Sequence, residues 1–101
     1  MSYCSEFVTF TIDTDDDTFL QLRRTAVQEV KRAHPRLMAV PVCAKRADGT
    51  WIDVWIYESK EAADAANADA ENLPEFCKLF AVLKDVQIEI TEFPVSAASP
   101  L

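Results

Sequence analysis

The sequence predicts an α+β fold of the ferredoxin-like kind, with the element order β-α-β-β-α-β and one four-stranded antiparallel sheet. Four segments alternate between apolar and polar residues, as half-buried strands do. Two stretches repeat apolar residues at three- and four-residue steps, as amphipathic helices do. A single Asp-Gly pair joins the middle two strands. Two helical crossovers around a central hairpin define the split-βαβ arrangement, in which the strands lie in the spatial order 4-1-3-2.

The first strand and the first helix have clear sequence patterns. Residues 6–12 alternate and are rich in β-branched and aromatic types, which predicts a strand. The acidic residues that follow favour the start of a helix, where the helix dipole stabilises carboxylates. Thr18 and Gln21 have the spacing of a capping box. The apolar repeat then continues to His34, and Pro35 ends the helix.

The central hairpin is predicted from its turn and from one proline. Residues 37–46 and 50–57 read as the second and third strands. Asp48 and Gly49 lie between them, and such a pair favours a tight turn because its residues tolerate positive φ. Pro41 has no backbone N–H to donate, so the second strand is predicted at an edge of the sheet.

The second half of the chain repeats the helix-then-strand order. Ser59 is a candidate N-cap for a helix over residues 60–72, whose alanines form a narrow apolar stripe. Leu73-Pro74 interrupts the pattern, so we expect a break there. A second helical segment then places Phe76, Leu79, Phe80 and Leu83 on one face. Residues 85–93 alternate and predict the fourth strand.

Length and composition limit the class of protein. The 101 residues fit one domain, which we place at 1–94 with a C-terminal tail at 95–101. No apolar run approaches the roughly 18 residues of a membrane span, and the N-terminus lacks the pattern of a signal peptide, so we expect no membrane partner and a cytoplasmic location. The net charge of −7 argues against nucleic acid as a partner.

The counts of cysteine, glycine and histidine argue against several kinds of site. The three cysteines, Cys4, Cys43 and Cys77, are odd in number and lack a CxxC spacing, so neither a disulfide framework nor a zinc site is predicted. Cys43 and Cys77 are expected to be buried. One glycine is too few for a phosphate-binding loop. One histidine excludes a site that needs two imidazoles from the same chain. We therefore predict no metal.

Apolar residues occupy both faces of the predicted sheet. Alternation along the third strand separates aliphatic residues on one face from an aromatic and acidic set on the other, namely Trp51, Asp53, Trp55 and Tyr57. Two helices cover only one face of such a sheet. The other face would be an apolar patch larger than a monomer tolerates. We therefore predict a homodimer in which two sheets meet face to face, with a heterologous partner as the alternative.

Three short motifs, HPRL at residues 34–37, YESKEA at residues 57–62 and LPEFCKLF at residues 73–80, resemble those of the dimeric α/β-barrel superfamily, and within it the antibiotic-biosynthesis-monooxygenase-like (ABM-like) proteins. HPRL at residues 34–37 is similar to their His-Pro-Gly-Phe motif. YESKEA at residues 57–62 resembles the aromatic-Glu-Ser motif that ends their third strand, and LPEFCKLF at residues 73–80 resembles their late helix. The resemblance covers roughly residues 6–94, and it implies the same ferredoxin-like fold and the same pairing as a dimeric α/β barrel.

The resemblance also implies a function. Members of the family include monooxygenases that oxidise polycyclic aromatic substrates with O₂ and without metal or flavin, whereas others degrade haem. The histidine that ligates haem in the latter falls near Ala66 and Asn67 here, which argues against haem. We therefore expect no cofactor, and an oxidoreductase of the monooxygenase type acting on a small aromatic or quinol-type compound. The alternative is a non-catalytic homodimeric module that binds a small apolar ligand or a protein.

In the family, the pocket lies between sheet and helices, and the aromatic residue before Glu-Ser points into it. Parity then brings the aromatic and acidic face of the third strand to the pocket, although the residues alone would allow the reverse orientation. Asp53 and Tyr57 are the catalytic candidates, because a carboxylate that loses its water shell among aromatic rings becomes a stronger base. The ligand-binding candidates are Trp51, Trp55, Thr9, Thr11, His34, Asn67, Phe76 and Phe80.

Each candidate also has an ordinary structural interpretation. The aromatic side chains could belong to the core or to an interface. Asp53 could pair with a cation, and His34 could cap the end of the first helix. Thr9 and Thr11 are good strand residues whatever they contact.

Overall fold

The computed structural model describes residues 2–97 and has the predicted α+β architecture. The elements are β1 (Ser2–Ile12), α1 (Asp16–Ala33), β2 (Leu37–Lys45), β3 (Trp51–Tyr57), α2 (Lys60–Asp69), α3 (Pro74–Phe80) and β4 (Leu83–Pro94), with 3₁₀ turns at Ala70–Asn72 and Val95–Ala97. The four strands pair antiparallel in the order β2-β3-β1-β4. Both the ferredoxin-like fold and the strand order 4-1-3-2 are thus confirmed. Residues 98–101 of the predicted tail lie outside the described residues.

The first helix begins earlier than the capping-box spacing predicted. Asp15 is the N-cap, because its carboxylate accepts the backbone N–H of Thr18 at 3.1 Å and the hydroxyl of Thr18 at 2.6 Å. Thr18 is therefore inside the helix, and the predicted Thr18–Gln21 box is wrong. The predicted end is confirmed: the His34 N–H donates to the Val30 carbonyl at 2.7 Å, and Pro35 follows. None of the helices within residues 2–97 is long and apolar enough to cross a membrane.

The hairpin and the sheet edge follow the predicted pattern. β2 is an edge strand, and its pairing with β3 shifts register between Ala39 and Val42, around Pro41. Gly49 adopts a φ of +90° in the turn, a conformation that costs glycine little. β1 begins at Ser2, earlier than predicted, because it pairs with β4 along that strand's whole length.

The helical half breaks where the sequence predicted. The Ser59 hydroxyl oxygen accepts the N–H of Ala62 at 3.1 Å and caps α2. A 3₁₀ turn ends this helix, and Pro74 occupies the first turn of α3, where its missing N–H costs no hydrogen bond. Together the two short helices cover part of the sheet, and α3 also packs against α1.

The pairing of β1 with β3 fixes which residues face the helices. Phe10 pairs with Trp51, Val8 with Asp53, Glu6 with Trp55 and Cys4 with Tyr57, and most of these residues are buried beneath the helices. The opposite face, here called the open face, carries Phe7, Thr9, Val42, Ile52, Val54, Ile56, Thr91 and Phe93. The aromatic and acidic face therefore lies on the helix side, as the resemblance implied.

A β-bulge in β4 changes which of its residues face the helices. Thr9 pairs with Gln87 but Thr11 pairs with Lys84, so one extra residue is accommodated between them. Asp85, at a φ of 54°, lies in this bulge. Because the bulge shifts the alternation by one residue, Leu83, Val86 and Ile88 all lie on the helix side. Ile88 is nevertheless 52% exposed, since the helices do not reach this edge of the sheet.

The cysteines occupy three different environments. Cys4 is buried in the core with Tyr57, whereas Cys43 is partly buried and Cys77 is exposed. The prediction that Cys43 and Cys77 are buried was therefore wrong for Cys77, which lies on the side of α3 opposite to the buried Leu79. Burial raises the pKa of the Cys43 thiol to about 11.

Candidate functional site

A cavity lies between the helix side of the sheet and the two short helices. Its volume is about 70 Å³, and its walls are mainly apolar. The lining residues come from every strand but β2: Glu6, Val8, Phe10, Asp53, Trp55, Tyr57, Asn67, Phe76, Leu79, Phe80, Leu83, Val86 and Ile88. A mostly apolar cavity with a few polar groups is the usual form of a small-molecule site.

Glu6 is the polar residue of this cavity that the sequence reasoning missed. It is 4% exposed, lies opposite Trp55 on the neighbouring strand, and accepts a hydrogen bond from the Asn67 side-chain amide at 2.6 Å. Burial raises the pKa of its carboxyl group, and the hydrogen bond from Asn67 partly opposes that rise. A signal was present in the sequence, because alternation along residues 6–12 puts Glu6 on the same face of the strand as Val8 and Phe10.

Asp53, predicted as a catalytic base, is held in a buried ion pair. Arg23 of α1 donates from Nε to one carboxylate oxygen at 2.8 Å and from its terminal nitrogen to the other at 2.9 Å. Such two-point contacts fix geometry as well as charge. The structure therefore supports the alternative interpretation, in which Asp53 pairs with a cation. Asp53 therefore anchors α1 to β3 at the cavity wall, and its carboxylate is already committed to Arg23.

Tyr57 and Trp55 both line the cavity. Burial, with a smaller contribution from the nearby Glu6 charge, raises the pKa of the Tyr57 hydroxyl, so this group stays protonated. The protonated hydroxyl group of Tyr57 can donate a hydrogen bond to a group in the cavity. Trp55 packs edge to face on Phe76, with ring centroids 6.5 Å apart.

Trp51, Thr9 and Thr11 do not line the cavity. Trp51 is packed against Phe19, with ring centroids 4.9 Å apart, in a separate part of the core. Thr9 and Thr11 project from the open face, because strand alternation places them opposite to Val8 and Phe10. Their predicted contact with a ligand in the helix-side cavity is therefore corrected.

The other predicted ligand-binding residues divide into two groups. Asn67, Phe76 and Phe80 line the cavity. His34 lies outside its lining, and its Nε2 is 2.8 Å from the Asp69 carboxylate, so it links the ends of α1 and α2. Across residues 2–97, no three His, Cys, Asp or Glu side chains gather as a metal site would require.

Comparisons with known proteins identify the fold. No model of a known protein family matches the sequence, and no curated protein is similar to it in sequence. Solved structures do match. SnoaB, a cofactor-independent oxygenase from Streptomyces nogalater, has a TM-score of 0.72 at 16% identity, with 100% of both chains covered. A candidate antibiotic biosynthesis monooxygenase from Nitrosomonas europaea has a TM-score of 0.73 at 16% identity, with 95% of this chain and 94% of the other covered.

A third match extends the comparison to a protein named without a reaction. A conserved protein from Methanosarcina mazei has a TM-score of 0.69 at 12% identity, over 90% of this chain and 92% of the other. The chain therefore has the fold of ABM-like proteins over nearly its whole length, and the resemblance drawn from its motifs is confirmed at the level of fold.

The arrangement allows one kind of chemistry more readily than others. Glu6 is a buried carboxylate that no described cation pairs with, and it faces an apolar cavity. Tyr57 lines the same cavity from the neighbouring strand, and its hydroxyl group can donate a hydrogen bond. A ligand hydroxyl that lies between them could donate to Glu6 and accept from Tyr57. The cavity therefore suits proton removal from a weakly acidic hydroxyl group.

Replacing Arg23 by Met should destabilise the fold by about 3–5 kcal/mol, because Asp53 would remain buried and charged without its partner. The free energy of unfolding in urea measures this. Replacing both residues, Arg23→Met with Asp53→Leu, should recover most of the loss. Lys60→Met removes an exposed ion pair with Asp64 and should leave the free energy of unfolding almost unchanged. Equal destabilisation by the single and double variants would contradict this assignment.

Replacing Asn67 by Ala should raise the pKa of Glu6 further, because the hydrogen bond that favours the ionised form is lost. Carbon-13 NMR titration of the glutamate carboxyl carbons measures this. A raised pKa in the folded state means that protonation of Glu6 stabilises the fold at low pH, and that this stability is lost as pH rises through the folded-state value. The Asn67 variant should therefore lose more stability between acid and neutral pH than the native protein.

Asn72→Ala is the matched control, because Asn72 donates to Asp69 at 3.1 Å and lies outside the cavity lining. Its Glu6 titration should be that of the native protein. A Glu6 pKa that stays constant or falls in the Asn67 variant would show that the amide does not stabilise the carboxylate.

Proposed function

We propose that this protein is a cofactor-independent monooxygenase-like enzyme that oxidises a small hydroxyaromatic compound in the cavity beside Glu6. The observation that carries this proposal is a buried carboxylate, unpaired with any cation of residues 2–97, in a mainly apolar cavity that Tyr57 also lines. The fold shared with a cofactor-independent oxygenase supports the reaction class.

In the proposed reaction, Glu6 takes the proton of the substrate hydroxyl group, and Tyr57 donates a hydrogen bond to the oxygen that becomes negative. The electron-rich anion then reduces O₂ by adding it to a ring C–H carbon, and Glu6 returns its proton to the resulting peroxide, which gives a hydroperoxide. The ring carbon then loses its hydrogen as a proton while the O–O bond breaks, so the outer OH group leaves with that proton as water and a carbonyl group remains. Overall, a hydroxyaromatic compound and O₂ give a quinone and water, which balances without another reductant.

Charge favours an uncharged substrate for this site. The chain carries a net charge of −7, and Asp64 adds to the negative potential at Glu6. An anionic ligand would therefore be repelled, whereas a neutral phenol could enter and lose its proton inside. Asp53 contributes here by holding α1 against β3 through Arg23, which fixes the cavity wall around Trp55. Asp53 thus positions the site, and Glu6 takes the role of base.

The purified protein should consume O₂ with a member of a panel of naphthols and hydroquinones, one O₂ for each quinone formed from a naphthol. Glu6→Gln should reduce kcat by about 100-fold or more, the usual contribution of a general base. Tyr57→Phe should reduce it by about tenfold, consistent with the loss of one hydrogen bond. An oxygen electrode and quinone absorbance give both rates.

Glu61→Gln is the control, because Glu61 is an exposed carboxylate in the first turn of α2. It should keep the native rate. Oxidation that is equally fast in the Glu6 variant would remove Glu6 as the base. Binding of these compounds without any O₂ consumption would instead favour the non-catalytic ligand-binding module.

We also propose that two copies pair through the open faces of their sheets. These faces carry Phe7, Ile52 and Ile56, and Val42 at their edge is 42% exposed. Because α1, α2 and α3 all lie on the other side, no helix within residues 2–97 covers this surface, and only its centre, at Val54, is shielded by neighbouring side chains. A twofold contact of identical faces would remove it from water, as in other closed homodimers.

The native protein should sediment as a dimer at micromolar concentration, and Val42→Glu should shift it toward the monomer because a charge would be buried in the interface. Leu20→Glu is the matched control. Leu20 is also 42% exposed, but it lies on α1, on the other side of the sheet. Sedimentation of the native chain as a monomer, or equal dissociation of both variants, would overturn the proposed pairing.

A further inference from the structure

The cavity is too small for an aromatic ring in the conformation observed. Its volume is about 70 Å³, whereas a cavity of about 150 Å³ is known to admit benzene. A ring can therefore bind beside Glu6 only if part of the wall moves. The wall residue that moves must have both a side chain that is free to rotate and empty space behind it.

A groove outside the cavity supplies that space. It lies between α2 and α3, has a volume of about 640 Å³, and is bordered largely by small residues, including Ala68, Ala70 and Ala81. The cavity and the groove share Asn67, Phe76 and Phe80 in their linings. These three side chains are therefore the partition between the two spaces.

Phe80 is the member of this partition that is least restrained. Phe76 packs on Trp55, and its backbone N–H donates to the Glu29 carboxylate at 2.9 Å, which ties α3 to α1. Phe80 stands at the last position of α3, is 51% exposed, and stacks on Phe76 with ring centroids 6.2 Å apart. Rotation of its side chain toward the alanines would displace no buried group.

We infer that Phe80 is a gate that separates the groove from the cavity, and that a ligand reaches Glu6 from the groove between α2 and α3. When the Phe80 ring rotates outward, the cavity and the groove join into one site long enough for a ring and an apolar substituent. This inference rests on the proposed hydroxyaromatic substrate. It makes the size of the residue at position 80 a determinant of how fast ligands bind.

Asn67 links the proposed gate to the carboxylate of Glu6. Its side chain lines both spaces and donates to Glu6 at 2.6 Å. A ligand hydroxyl that arrives from the groove can replace the amide as the donor to Glu6. The carboxylate then keeps one hydrogen-bond donor throughout, which avoids the cost of a buried charge without a partner.

Cys77 allows a test in the native chain. It is exposed and lines the groove, whereas Cys4 is buried and the high pKa of Cys43 makes its thiol slow to react. Fluorescein maleimide should therefore label Cys77 selectively and obstruct the groove, and methyl methanethiosulfonate should add only a small group. Association of 4-fluorophenol, followed by fluorine NMR exchange, should be slowed about tenfold by the large adduct and hardly by the small one.

Substitutions at the gate and at the opposite side test the same inference. Phe80→Ala should speed association and Phe80→Trp should slow it, with Met38→Ala as the control at an exposed residue outside both spaces. Ile90→Trp adds bulk at β4, at an exposed residue outside both linings, and should leave the association rate unchanged. A rate that responds to Ile90 instead of Phe80, or that ignores the large Cys77 adduct, overturns the gate.

The readout separates this inference from the proposed reaction. Binding of 4-fluorophenol is measured under nitrogen, so it requires no turnover. A protein that binds the probe through the groove but never consumes O₂ keeps the gate and loses the proposed reaction. Failure of the native protein to bind the probe at all counts against the gate, because the opened site is large enough for one ring.

Discussion

Alternation along β3 is the constraint on which the rest of this structure depends. Each of its seven residues projects to one of two faces, and neither set is suited to water. The helices can cover one face only, and they cover the face that carries Trp51, Asp53, Trp55 and Tyr57. The same choice leaves the aliphatic face open. The buried site and the proposed contact between copies therefore follow from a single strand and its parity.

Two carboxylates are buried on the helix side of the sheet, and their different partners give them different roles. Asp53 is neutralised by a two-point contact with Arg23, so its charge is balanced and its position is fixed. Glu6 has only the neutral amide of Asn67, so the burial of its charge is incompletely offset and the pKa of its carboxyl group rises. A structural acid lowers its energy by finding a cation. Glu6 has none among the described residues, and this is why we propose it, and not Asp53, as the group that exchanges protons.

The sequence was sufficient for the fold because local signals agreed with one another. Pro41 at the edge, Gly49 in the turn, Ser59 as a cap and the break at Leu73-Pro74 all matched the structure. The site was harder to predict from the sequence, since it depends on contacts between distant parts of the chain. Arg23 and Asp53 are separated by 30 residues. Nothing in the sequence around Arg23 indicates that its side chain is buried. The bulge at Asp85 brings Leu83 to the cavity side of the sheet, and nothing in the sequence pattern predicts it.

The break at Leu73-Pro74 connects the fold to the site in a way that a continuous helix would not. Ending α2 at Asp69 and restarting at Pro74 turns α3 toward α1, where Glu29 holds the Phe76 N–H. That turn opens the groove beside the alanines of α2 and points Phe76 and Phe80 back over the sheet. A single long helix would have had to place its aromatic side chains along one straight face. The break therefore places on one short helix both Phe76, whose backbone Glu29 holds, and Phe80, the proposed gate.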